Sequence, residues 1–166
     1  ITGLEFKPDF VWIKERTAGT VSSHRAFDII RGAGNVLLPD GTSAELDRPT
    51  ELTSFDKNGF SLGDATTVNE NGSTVVAWCW KAGGTAVTNN DGSITSSVSA
   101  NQEAGFSIVV YTGNGSAGGG GTIGHGLGKI PNIMWVKNRA DSSNWSVNGN
   151  AGGRLIYGTN KIYLHS

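Results

Sequence analysis

Tight-turn pairs punctuate this chain: Asn58-Gly59, Asn71-Gly72 and Asn114-Gly115, with Asp91-Gly92 beside them. Asn-Gly and Asp-Gly supply the positive φ that two-residue hairpin turns require, so the runs between them read as antiparallel strands. The clearest runs are Phe10 to Lys14, Ser73 to Trp80, Phe106 to Thr112 and Ile133 to Lys137. Phe60 to Leu62, Arg154 to Tyr157 and Lys161 to Leu164 are shorter candidates. Helical periodicity is confined to Arg25 to Arg31, which Gly32 and Gly34 terminate. Parallel sheets need crossover helices, and none is visible. The expectation is an all-β, antiparallel β-sandwich.

Charge narrows the function classes. Lys and Arg number 13 against 14 Asp and Glu, a net charge of −1. Such a balance lacks the basic excess that neutralises phosphates, so no nucleic-acid partner is expected. No polybasic stretch suits anionic lipid, and no apolar run is long enough for membrane insertion. Residue 1 opens into patterned sequence without the shape of a signal peptide. Five tryptophans and six phenylalanines argue against disorder despite 25 glycines. Cys79 is the sole cysteine, so no intrachain disulfide forms. That fits a protein assembled inside a cell, or one that manages without staples.

The strands from Val75 to Trp80 and from Phe10 to Ile13 are apolar on both alternating faces. Each is expected to be covered on both sides, or to turn its tryptophans toward a partner. From Lys81 to Glu103 aromatics vanish and small polar residues take over, which reads as a linker or extended connector.

A repeat organises the whole. Residues 3–16 (GLEFKPDFVWIKER) and 126–139 (GLGKIPNIMWVKNR) align at a constant offset, matching Gly3 to Gly126, Leu4 to Leu127, Pro8 to Pro131, Trp12 to Trp135, Lys14 to Lys137 and Arg16 to Arg139. Proline fixes the strand entry, apolar residues build the strand, and alternate Lys and Arg face outwards. The division this implies is a first module over 1–84, a connector over 85–103 and a second, partial copy over 104–166. Each copy lacks one strand of the pattern, so the chain reads as a window on a tandem array.

Six segments in order resemble a repeat module of bacteriophage tail proteins, common in marine phages including those of cyanobacteria. They are GLEFKPDFVWIKER, FDIIRGAG, LTSFDKNGFSLGD, NGSTVVAWCWKAGG, DGSITSSVSANQEAGFSIVVYTGNG and GHGLGKIPNIMWVKNR. The likeness fades after Trp145, and Asn148 to Ser166 departs from the pattern. The resemblance implies a lectin-like sandwich of the concanavalin or laminin-G jelly-roll kind. It implies a virion part in a tail fibre, spike or related appendage, with other virion proteins as partners and no enzyme activity. It also favours a homo-oligomer, a trimer first, with open sheet edges covered by a neighbour. Host-surface polysaccharide is the expected ligand. A capsid or head decoration protein is the alternative. A glycan-degrading enzyme ranks last, because it needs two facing carboxylates and no pair stands out.

Other motifs carry less. Gly113-Asn-Gly115-Ser-Ala-Gly118 has dinucleotide spacing, but the glycines after it cannot open the helix that would hold a pyrophosphate. His24, His125 and His165 lack metal-ligand spacing, and no G-x-S-x-G elbow accompanies the serines. Asp56 to Gly59 and Asn90 to Gly92 faintly match calcium loops without the later bidentate acid, so Ca2+ is the only cofactor entertained. Trp12 and Trp135, mid-strand in both copies, read as sandwich core. Trp145, within Asp141-Ser-Ser-Asn-Trp-Ser, reads as the exposed ring of a carbohydrate site shared with Asn144, Asp141 and His125. No catalytic or metal residues are assigned.

Overall fold

The computed structural model describes residues 1–17, 22–115, 120–151 and 154–155. Tyr157, the candidate strand Lys161 to Leu164, His165 and residues 116–119 of the glycine loop lie outside the described residues. Strand takes up 40% and helix 3% of what is described, and the ladders are antiparallel. The chain is all-β, as its turn chemistry requires.

The first layer is a three-stranded sheet. β1 (Phe10–Glu15) lies at its centre, flanked by β2 (Arg25–Asp28) and, from much later in the chain, β7 (Val75–Trp80). Between them run the hairpins β3 (Asn35–Val36) with β4 (Leu46–Asp47) and β5 (Leu52–Asp56) with β6 (Gly59–Leu62), followed by the single-turn helix α1 (Thr66–Asn69). β1 alternates strictly: Val11, Ile13 and Glu15 are buried, while Phe10, Trp12 and Lys14 face the other way. Its inward side packs with Phe27, Val36, Leu52, Phe60 and Val68 as one core, with Cys79 beside it. Hydrophobic burial between these layers drives the sandwich.

The helix expected over Arg25 to Arg31 is instead strand β2 and a turn. Asp28 causes the change. Its Oδ1 accepts the Ile30 and Arg31 backbone N–H groups at 3.0 and 2.9 Å, a side-chain turn that competes with helix. The Arg31 guanidinium then folds back to donate to the Asp28 carboxylate, to Glu45 and to the Ala26 and Asn35 carbonyls.

The connector expected over residues 85–103 is also ordered. β9 (Ser96–Asn101) is the centre of a second sheet, between β8 (Val87–Asn89) and β10 (Phe106–Tyr111), and buries Ser96, Val98 and Ser99. Its junction with the first sheet is clamped. Buried Asp9 accepts the Ala82 and Gly84 N–H groups through Oδ2, at 2.8 and 3.1 Å. The Ser99 hydroxyl accepts from Gly83 N–H and donates to the Gly84 carbonyl. Gly83 is a glycine by necessity, since a Cβ there would stand 2.5 Å from the Ala100 carbonyl oxygen. Gly59 is likewise not a turn residue: it opens β6, and a side chain there would collide with the Ile1 carbonyl.

β11 (Ile133–Val136) occupies the positions that correspond to the first four of β1, and pairs with β12 (Ser146–Ala151), to which β13 (Arg154–Leu155) adds. Trp12 faces Ala26 and Trp135 faces Val147 across their hairpins, so the second connection is two residues shorter. The backbone repeats as well. Gly3 and Gly126 both have positive φ, as do Glu5 (φ 60°) and its counterpart Gly128 (φ 67°). Lys14 and Lys137 each donate to the following residue's carbonyl at 2.6 Å.

Candidate functional site

Antiparallel pairing sets Trp78 directly opposite Trp12, and Trp80 opposite Phe10, on the outer face of the first sheet. At one end that face is closed: Trp80 stacks on Phe106 of β10, and Phe10 meets both rings edge-on. At the other end Trp12 is the hub of an open cluster. Trp135 approaches it edge-to-face at 5.3 Å between centroids, His24 at 5.5 Å and Trp78 at 6.1 Å. Such perpendicular contacts are the favoured geometry of aromatic pairs. The equivalent tryptophans of the repeat therefore touch each other. Trp78 remains 44% and Trp135 41% exposed, and Trp12 lies half-buried on the outer face, so the reading of Trp12 and Trp135 as core is corrected. On the tryptophan side of β7, Trp80 is covered by Phe106 of β10, whereas Trp78 stays exposed.

His24 steadies the hub. Its Nδ1 accepts the Trp12 indole N–H at 2.8 Å, and its backbone N–H donates to Asp40 Oδ1 at 3.0 Å. Burial pushes the imidazole below its ordinary 6.5; Asp40 opposes the shift and the Lys14 ammonium adds to it. A proton on Nδ1 would remove the acceptor. With the folded value depressed, the unfolded chain binds the proton more readily. The His24 contribution is thus present above about pH 6.5 and is lost as pH falls through the folded value. Tryptophan emission is expected to change on acidification with a midpoint below 6.5, and Trp12→Phe to abolish the transition. A midpoint above 6.5 would contradict this account.

The sugar-site residues expected from sequence do not assemble around an exposed ring. Trp145 is 6% exposed, and its Nε1–H donates to the Leu38 carbonyl at 2.9 Å, so its exposure is corrected. It stands two residues before Val147, as His24 stands two before Ala26, and ties the β11–β12 hairpin to the segment after β3. Asn144 and Asp141 are exposed in the loop before it, where the Asp141 carbonyl accepts from Lys137. His125 is half-buried in another loop, its Nδ1 accepting the Leu127 N–H. The docking is completed by Glu45, which receives Arg139 and Arg31 together. The sequence left Trp78 between two readings, covered or turned toward a partner, and the structure leaves it exposed. The signal was present: a strand apolar on both faces has one face to spare.

Asp56 accepts the Ser54 and Ser61 hydroxyls at 2.7 Å, and Asp91 is bonded to Asn89, so both calcium-like segments use their oxygens in turns. Among the described residues no three His, Cys, Asp or Glu side chains converge to hold a metal. Two shallow clefts of about 230 Å³ are lined by none of the clustered rings. One is lined by Thr88, Ser96, Val110 and Tyr111, the other by Glu15, Arg25, Thr67 and Glu70. Among the described residues no helix is long and apolar enough to cross a membrane.

No curated protein and no solved structure matches the chain. A family model does match, over residues 1–166, and by that match the chain belongs to the family described as Domain of unknown function (DUF7483).

Proposed function

We propose that this chain is a structural and attachment module of a bacteriophage virion appendage, a tail fibre or spike, that holds host-surface glycan on its tryptophan cluster. The observation that carries the reading is the pair of rings, Trp78 and Trp135, bracketing Trp12 and each more than 40% exposed. Large aromatic surface left in water marks an interaction site. The apolar face of a pyranose stacks on a flat indole, which is the chemistry such rings offer. The resemblance of six ordered segments to phage tail modules supports the virion setting. Tail, capsid and other locations are separated by immunogold labelling of virions with antibody to this chain; label on the head would favour a decoration protein.

Binding is tested on an array of capsular and lipopolysaccharide oligosaccharides. Trp78→Ala and Trp135→Ala are each expected to weaken binding roughly tenfold, about 1.4 kcal/mol, with the folded β circular-dichroism spectrum retained. Wild-type binding that survives both substitutions, or no binding to any glycan, would overturn the reading.

A further inference from the structure

The aromatic cluster carries a cation, Lys14, that makes no salt bridge among the described residues. Among the described residues the side-chain ion pairs are Arg25–Glu51, Arg31–Asp28, Arg31–Glu45 and Arg139–Glu45, all made by arginine. Lys14 belongs to none of them. It shares the outer face of β1 with Trp12, two residues away, and faces Val76 of β7, which places it diagonally across from Trp78. Its Nζ donates to the Glu15 carbonyl at 2.6 Å, leaving two N–H donors. The Glu15 carboxylate lies on the opposite, buried face and accepts from Ser73. The Asp40 carboxylate accepts from the His24 backbone.

The repeat supplies a comparison. Lys137 occupies the equivalent position beside Trp135, but its ammonium is spent on its own loop. It donates to the Asn138 and Asp141 carbonyls and to the Ser143 hydroxyl, at 2.6, 3.2 and 3.3 Å. One copy thus uses its lysine to build a loop, and the other holds the same lysine half-buried beside exposed indoles with donors to spare.

Resting on the glycan reading above, we infer that the cluster selects an acidic oligosaccharide, with a uronate-type carboxylate on the Lys14 ammonium and the sugar ring against Trp78 or Trp135. A cation held half out of water on a semi-rigid strand attracts a carboxylate more strongly than a freely solvated lysine does. Neutral sugars would stack on the same rings without that contact.

The test titrates the full chain with hexameric oligogalacturonate, hexameric oligomannuronate and neutral maltohexaose, read by tryptophan fluorescence at low and high salt. An acidic hexamer is expected to bind about fivefold more tightly than the neutral one, with the preference falling as salt rises. Lys14→Gln should erase the preference while leaving neutral binding and melting temperature unchanged, and Lys14→Arg should retain it. Equal affinity for neutral and acidic hexamers, or a preference that survives Lys14→Gln, overturns the acidic selection and leaves the glycan reading standing. Absence of binding by all three sugars, together with a blank glycan array, overturns both.

Discussion

Arg31→Met is expected to destabilise the fold by about 3–5 kcal/mol, the cost of leaving a buried acid without its cation. The Arg31 side chain is 3% exposed and reaches Asp28, 7% exposed, and Glu45, 15% exposed. Loss on that scale is a large share of the roughly 5–15 kcal/mol that holds a domain folded. Urea denaturation gives the number. A second variant, Arg31→Met with Asp28→Asn, separates charge from packing: the amide still accepts from Ile30 and Arg31 N–H but carries no charge, so part of the loss should return. A single variant within about 0.5 kcal/mol of wild type would show that the pair contributes nothing measurable.

Trp145→Ala should cost a similar amount, about 3–5 kcal/mol, by removing a large buried ring. Here the effect should be local as well as global. Trp145, the Glu45–Arg139 pair, and the backbone bonds from Glu45 N–H to Arg139 and from Ser143 N–H to Thr42 are what dock the β11–β12 hairpin. Amide exchange in Ile133 to Val136 should accelerate more than in Val11 and Ile13. Trp145→Phe keeps most of the packing and loses only the bond to the Leu38 carbonyl, for about 1–3 kcal/mol. Uniform exchange across both hairpins would refute local docking. The joint is acid-sensitive too. Burial raises the Glu45 carboxyl, yet the Arg139 and Arg31 hydrogen bonds outweigh burial and hold it below its ordinary 4.5. Its contribution is present above that value and is lost as pH falls below it.

Much of this architecture was legible because local chemistry and tertiary structure agree. Phe10 to Lys14, Phe106 to Thr112 and Ile133 to Lys137 are strands within a residue of where apolar runs and turn pairs put them. The misreadings have separate physical causes. Arg25 to Arg31 has helical spacing, but the Asp28 side chain captures two N–H groups and ends the segment as a turn. Ser96 to Asn101 looks like a connector because two of its three buried side chains are serines, whose hydroxyls are satisfied by the Gly84 and Gly124 carbonyls. Trp145 looks exposed because its chain neighbours are polar, and its burial comes from Leu38, 107 residues distant. Only long-range packing could reveal that, and only packing could bring Trp12 to Trp135.

The clamp at Asp9 has a mechanical meaning. Chain leaving β7 for β8 passes a carboxylate that grips two amides, a serine that grips two more backbone groups, and a glycine seated on a carbonyl. Bonds from two different side chains thus brace one short elbow, where the glycine-rich composition alone would suggest a slack tether.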